Sequence, residues 1–410
     1  MDSGHSGVNT PIYRSITHRF RDAREITSVF SGNLPTGVEL YGRFGDQNYH
    51  NLCTCLTKME GGESALIFAS GIAATSALFW SILSVGDHIL VSSRIYGGTR
   101  GQIAMYANKF RLDVSIVDVT DIAAVESVLR PDTKMLFVET VSNPDMVVAD
   151  ISALAKLCHS GGNDARLVVD NTFTPLIARP LHVGADVVMH SLTKYVSGKS
   201  DGLAGALIGP KKLLDAIAHP STGEGPLLGA VLHAPYAEEL ADRFAYLEYR
   251  VREASERAHV LAKLFVRAGL HVHYPLLADD CSFEALSGMG APMGGGVFSV
   301  AFSTEDEAVR FANHANSMML AEPLIPDGTL SITAVSLGSS HTYMWCTTEA
   351  RTQGKSIKWS APLFHPVPIG FVRIAVGYGG NRELCVTSFE RLLRELHYEL
   401  APTPLPIAHT

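Results

Sequence analysis

Between residues 65 and 209 the chain repeats one pattern: a short, near-continuous apolar run, then a helix-length segment or a turn. The runs fall at 65–69, 88–91, 114–117, 135–138, 167–169, 187–189 and 204–208. A strand with one wet face alternates polar and apolar residues, whereas a run without alternation is buried on both faces. The expected fold is therefore α/β, with a mostly parallel seven-stranded sheet covered by helices. In such sheets the turns after the strands converge on a crevice, so functional side chains are expected at the C-terminal strand ends.

Composition narrows the partners. The 410 residues carry 33 Lys and Arg against 41 Asp and Glu, a net charge of −8 that offers no basic field to nucleic acid, so a small-molecule ligand is expected. No apolar run approaches the roughly 18 residues of a spanning helix, and the first residues show neither a basic stretch nor an apolar one, so the expected location is cytoplasmic with no membrane partner. Cys53 and Cys55 are too close for an ordinary bridge. Cys158, Cys281, Cys346 and Cys385 lack metal-ligand spacing, so all six are expected to be reduced thiols and no metal site is expected.

Residues 1–45 have no clear period and are expected to form an N-terminal arm, with a large α/β domain over 46–244 and a smaller α+β domain over 245–410. Residues 236–268 have the charge mix of one long amphipathic helix bridging the two domains. Strands at 297–302 and 371–376 and a closing helix at 382–400 are expected in the smaller one, followed by a tail too rich in proline to continue that helix.

Three strand ends carry the chemistry. Ser70-Gly71-Ile72 follows the first run and opens a helix at 73–83, so its N–H groups can face a phosphate; alone, it equally reads as an ordinary tight turn. Asp170 ends a buried run, where a carboxylate needs a partner; a protonated ring nitrogen is one, and a helix cap is the plainer alternative. Lys194 follows the next run, 24 residues on, flanked by Ser191 and Thr193, and would share a rim with Asp170 if the strands are neighbours. A phosphate cradle, a carboxylate for a pyridine nitrogen and an amine for an aldehyde together describe a site for pyridoxal 5′-phosphate.

With these residues on the page, the chain resembles the Cys/Met-metabolism family of pyridoxal-phosphate enzymes, which includes cystathionine γ-synthase, methionine γ-lyase and O-acetylhomoserine sulfhydrylase. Matching pieces run in order from Thr10-Pro11-Ile12-Tyr13 through Tyr41-Gly42-Arg43, Glu60-Gly61-Gly62, Ser70-Gly71, Tyr96-Gly97-Gly98-Thr99, Glu139-Thr140 and Ser142-Asn143-Pro144. They continue through Asp170-Asn171-Thr172, the Ser191 to Tyr195 run, Ser336-Leu337-Gly338 and Val372-Arg373. The resemblance implies the type I fold of these enzymes. It implies that Lys194 anchors the cofactor, that Asp170 faces the ring nitrogen, and that Gly71, Ile72, Ser191 and Thr193 hold the phosphate. Tyr96 would stack on the ring and assist proton transfer, and Asn143 and Thr172 would also contact the cofactor. Tyr41 and Arg43 would reach a neighbouring subunit's site, which implies a homodimer or homotetramer with shared sites. Arg373 would hold the substrate α-carboxylate, because a planar fork matches it bidentately, with Asn143, Tyr41, Ser336 and Leu337 beside it.

Departures from the family cluster at the substrate end. Asp46-Gln47-Asn48 replaces an Asn-Pro-Thr, Gly198-Lys199-Ser200-Asp201 replaces a Gly-His-Ser-Asp, and Gly379-Gly380 stands for an acidic pair. After Gly338, the expected substrate loop is Ser339 to Cys346, with Cys346-Thr347 in place of a His-Pro; His341, Tyr343, Trp345 and Cys346 either line a pocket or pack between domains. Gly98 stands where methionine γ-lyases carry a cysteine. The expected reaction is γ-replacement on an amino acid with a γ leaving group such as an acylated homoserine, with Lys194 removing the α-proton and a β,γ-unsaturated intermediate following. The alternatives are a γ-elimination lyase and, from another class, a non-catalytic pyridoxal-phosphate-binding protein.

Overall fold

The seven apolar runs become the seven strands of one sheet in the computed structural model, which describes residues 10–30, 40–160, 165–277, 282–289, 293–321, 331–334, 336–347 and 369–401. The strands are β1 (Ser64–Phe68), β2 (His88–Ser92), β3 (Asp113–Val117), β4 (Thr133–Glu139), β5 (Arg166–Asp170), β6 (Val187–His190) and β7 (Gly205–Gly209). Their spatial order is β1-β7-β6-β5-β4-β2-β3, and only β7 runs against its neighbours. Leu90, Leu136, Val169 and Ile208 are fully buried on one face and Ile89, Phe137, Val168 and Leu207 on the other, which is why the runs do not alternate. The C-terminal ends of β1, β4, β5 and β6 and the start of β7 share one rim.

A second sheet contains β8 (His271–His273), β9 (Val297–Ala301), β10 (Ser331–Thr333), β11 (Thr342–Cys346) and β12 (Phe371–Ala375), in the order β10-β11-β12-β9-β8. Its core centres on Phe265, fully buried with its ring 5.4, 5.7 and 5.9 Å from those of Phe298, Phe311 and Phe389. Truncating such a side chain to alanine costs about 3–5 kcal/mol.

Three expectations are corrected. Residues 236–268 are not one helix: helices Ala234–Phe244 and Leu247–Arg267 meet at a break, where Ala245 N bonds Asp242 O and Tyr246 N bonds Arg243 O in tighter three-residue turns. Arg250 Nη1 donates to the Arg243 carbonyl at 2.8 Å, so the break leaves that acceptor satisfied. The closing helix ends at Glu395 rather than 400, because His397 adopts the left-handed region (φ 64°) and Tyr398 N bonds back to Leu393 O. The segment from Ser339 to Cys346 is not all loop, since Thr342–Cys346 is strand β11. Within the segment expected to form an N-terminal arm, Ala23–Phe30 is helical, and Thr17 pairs with Tyr41 in an isolated bridge. The tail beyond 401 lies outside the described residues, as does Cys281; Cys53, Cys55, Cys158, Cys346 and Cys385 are free. No described helix is long and apolar enough to cross a membrane.

Candidate active site

A cavity of about 390 Å³ opens at the rim of the seven-stranded sheet. Its lining includes Ser70, Gly71, Ile72, Tyr96, Asn143, Asp170, Thr172, Ser191, Thr193, Lys194, Leu337 and Arg373. Ser336, the other residue expected here, contacts both Lys194 and Arg373. Tyr41 and Arg43 are not brought to this cavity within the chain. Tyr41 is 39% exposed, and Arg43 bonds the Pro226 carbonyl beside a separate recess of about 30 Å³.

β1 ends at Phe68, and Ser70 caps the helix Gly71–Ile82 by accepting from Ala73 N at 3.1 Å. Among the described residues the N–H groups of Gly71 and Ile72 have no acceptor, so this helix start presents two free donors to the cavity. Close packing keeps the mouth of that turn small: a Cβ on Gly205 would lie 2.2 Å from the Ser70 carbonyl oxygen, and one on Gly71 would lie 3.1 Å from Ser191 Cβ. Thr172 Oγ1 accepts from Ser191 N at 2.8 Å. The Thr193 hydroxyl is already engaged with Ala204, donating to its carbonyl and accepting from its N–H.

Asp170 and Glu139 end the neighbouring strands β5 and β4 and stand side by side in register. Both are buried. Burial, then the charge of Asp170, pushes the Glu139 carboxyl well above the usual carboxylate range. Burial also raises Asp170, but the Thr172 N–H, 2.9 Å from Oδ1, together with the Thr172 hydroxyl and the positive potential of His190, opposes it. The upward push is larger on Glu139, whereas the charge on Asp170 is the one that hydrogen bonds support. Glu139 Oε1 accepts from Tyr96 N at 2.5 Å, while its Oε2 has no partner among the described residues. Behind Asp170, His190 Nε2 lies 2.6 Å from Glu60 Oε1, which also accepts from Asn171 at 2.9 Å.

Lys194 sits in the turn after β6, pinned from behind. Arg250 donates to the Tyr195 and Val196 carbonyls at 3.2 and 2.9 Å, and Arg243 donates to the Ser197 carbonyl while clasping Asp201 at 2.7 and 2.6 Å. Gly338, at φ +74°, packs so closely on this turn that a Cβ would come within 2.5 Å of Tyr195 N. The Lys194 amine lies 3.3 Å from Ser336 Oγ, and burial, followed by the nearby Arg373 charge, lowers its pKa. A lysine whose proton is loosened in this way is a better nucleophile and base than a solvated one.

Arg373, on β12, is 4% exposed. It donates to Asn143 Oδ1 and to the Ser336 carbonyl, each at 3.0 Å, and its Nε has no partner among the described residues. Burial lowers its pKa to about 10, and among the described residues its hydrogen-bond partners include no carboxylate. Donors remain for an anion. Across the cavity mouth, Tyr96 is 51% exposed.

Glu139, given no role from sequence alone, joins the site, and Trp345, read there as either lining a pocket or packing between domains, touches Arg373. Glu139 carried the same signal as Asp170, an acid closing a buried run. Trp345, whose ring centroid lies 5.1 Å from the Arg373 guanidinium carbon, carried none beyond its place in a divergent stretch.

The residues fit a phosphorylated pyridine aldehyde. Two free helix-start N–H groups suit the phosphate, the Asp170 carboxyl held by Thr172 suits a ring nitrogen, and a desolvated amine suits the aldehyde, in a cavity of ordinary ligand size. The fold and cavity define a pyridoxal-phosphate-dependent enzyme of fold type I. The model of the Cys/Met metabolism PLP-dependent enzymes matches residues 1–384, and the chain belongs to that family. A methionine γ-lyase from Arabidopsis thaliana is 32% identical over 393 residues, covering 94% of this chain and 86% of that protein. An O-succinylhomoserine sulfhydrylase from Pseudomonas aeruginosa is 36% identical over 218 residues, covering 53% of each. The crystal structure of metB from Corynebacterium glutamicum superposes with a TM-score of 0.79 at 30% identity, covering 97% of this chain and 95% of that one.

Proposed function

We propose that the protein catalyses γ-replacement on an α-amino acid with a γ leaving group, of the acylated-homoserine type, with Lys194 and Tyr96 moving the protons. The observation that carries this reading is the loosened Lys194 amine facing the same cavity as Arg373, a guanidinium with donors to spare. When bound, pyridoxal phosphate supplies an aldehyde for the substrate amine and a ring that accepts the electron pair left at Cα. Lys194 would anchor it, Gly71, Ile72 and Ser191 would hold its phosphate, with Thr193 joining them once its hydroxyl turns from the Ala204 carbonyl, and Asp170, steadied by Thr172, would hold a proton on the ring nitrogen. Asn143 and Tyr96 would border the ring. Arg373 binds the α-carboxylate bidentately, with Asn143, Ser336 and Leu337 shaping its surroundings. Lys194 takes the proton from Cα; a proton is then lost from Cβ, whose electron pair forms the Cβ–Cγ double bond as the γ group leaves with a proton from the Tyr96 hydroxyl. A nucleophile adding at Cγ, with protons restored at Cβ and Cα, completes replacement.

Gly98 supports replacement. Any side chain there would strike the Tyr96 ring, since a Cβ would lie 2.4 Å from its Cε1. γ-Elimination is the second reading, favoured by the Arabidopsis relative that covers nearly the whole chain. Tyr41 and Arg43, absent from the cavity of their own chain, are proposed to enter that of a partner subunit, making a homodimer or homotetramer with shared sites. A cytoplasmic location is proposed from the acidic, charge-mixed composition. The divisions at 45 and 244 are retained, the second falling at the break between helices Ala234–Phe244 and Leu247–Arg267.

Products formed from O-acetylhomoserine with and without a thiol decide the matter. Replacement yields a thioether only when the thiol is present. Release of 2-oxobutyrate and ammonia without it makes elimination correct, and no turnover of either kind overturns both.

A further inference from the structure

β11 lies within residues 339–346, one of the stretches read from sequence as departing from the family pattern, and it lies directly against β12. In the antiparallel register Trp345 stands opposite Arg373, and Ser299 of β9 stands opposite Arg373 on the other side. Side chains paired in this way share a sheet face, so Trp345, Arg373 and Ser299 form one row. The guanidinium carbon of Arg373 is 5.1 Å from the Trp345 ring centroid. Ser299 donates to the Pro144 carbonyl at 2.5 Å, which ties the turn bearing Asn143 to the same row.

Among the described residues the partners of Arg373 are all neutral: the Asn143 amide oxygen, the Ser336 carbonyl and an indole face. A buried cation without a counter-ion is costly. The negative face of an indole offsets part of that cost and, unlike a carboxylate, consumes no N–H of the donor fork. It also restricts the plane in which the fork lies, and bidentate capture of a carboxylate depends on that plane. An acid at position 345 would instead pair with Arg373 and compete with the substrate.

We propose that Trp345 is a positioning residue that orients the Arg373 guanidinium and thereby sets the affinity of the α-carboxylate subsite. This rests on the assignment of Arg373 to that carboxylate. The effect is confined to ligands that carry the carboxylate and is recovered by another aromatic ring.

The test uses the holoenzyme and two probes, glycine and glycinamide, titrated by the change in cofactor absorbance. Glycine has no γ substituent, so its dissociation constant can be read whatever happens at Cγ. Trp345→Ala is expected to weaken glycine about tenfold, equivalent to about 1.4 kcal/mol, and glycinamide less than about twofold. Trp345→Phe is expected to stay within about threefold of wild type for both probes and covers the case in which the alanine variant does not fold. Equal losses on the two probes, no loss on glycine, or a phenylalanine variant as weak as alanine overturn the inference. Arg373→Ala separates the two levels. If it keeps the wild-type preference for glycine, or if wild type has none, the carboxylate assignment falls and the inference with it. If Arg373→Ala loses the preference while Trp345→Ala keeps it, the inference alone falls.

Discussion

The two ends of the cavity are built differently. At the cofactor end, Ser70, Asp170 and Lys194 close or follow strands β1, β5 and β6, and each is held by near neighbours: Ala73, Thr172 and the turn carbonyls that Arg243 and Arg250 grip. At the substrate end, Arg373 is held by Asn143, 230 residues away in sequence, by Ser336 and by Trp345 on another strand. The first end is a property of one sheet's rim. The second exists only where the two sheets meet, so on the proposed assignment substitutions there are expected to alter substrate recognition while leaving the rim in place. Family likeness at the rim and divergence in β11 follow the same line.

Three substitutions probe that division, in decreasing order of expected effect. Lys194→Ala removes both anchor and base and is expected to lower kcat by about 10²–10⁴-fold at matched cofactor occupancy. Turnover near wild type would detach the rim from the chemistry. Arg373→Ala belongs to the other end. It is expected to raise KM for the amino acid by about 10²-fold with a smaller change in kcat and unchanged cofactor affinity, as measured by steady-state kinetics and cofactor titration. Loss of cofactor binding would show that the two ends are not separable. Asp201→Asn loosens the clamp behind Lys194 and has the smallest effect. Arg243 holds the Asp201 carboxyl down to about 2 from its ordinary 3.8. A depressed carboxyl stabilises the fold above its ordinary value and loses that contribution as pH falls through the folded one. The side chain is 42% exposed, so solvent screening limits this to about 1 kcal/mol or less. Melting curves at neutral pH should show a slightly lower Tm for the variant, with the gap closing as pH falls from 3.8 toward 2.

The same division governs what could be read from sequence. The seven strands were legible because runs such as Leu167-Val168-Val169 are buried on both faces and need no distant partner to declare themselves. Asp170 and Lys194 were legible as a pair because β5 and β6 are neighbours. Glu139 could have been found by the same rule, since it ends β4 opposite Asp170. The break at Ala245 could not, because it depends on Arg250 reaching back to the Arg243 carbonyl. Nor could the early end of the last helix, where histidine rather than glycine takes the left-handed position. β11 read as loop because its pairing partners, β10 and β12, lie outside its own stretch of chain. Trp345 over Arg373 is a contact of the folded sheet alone.

Reduction of the holoenzyme with borohydride, followed by peptide mapping by mass, tests the central assignment most directly. The phosphopyridoxyl mass is predicted on the peptide that contains Lys194. Its appearance on another lysine, or on none, would contradict the account.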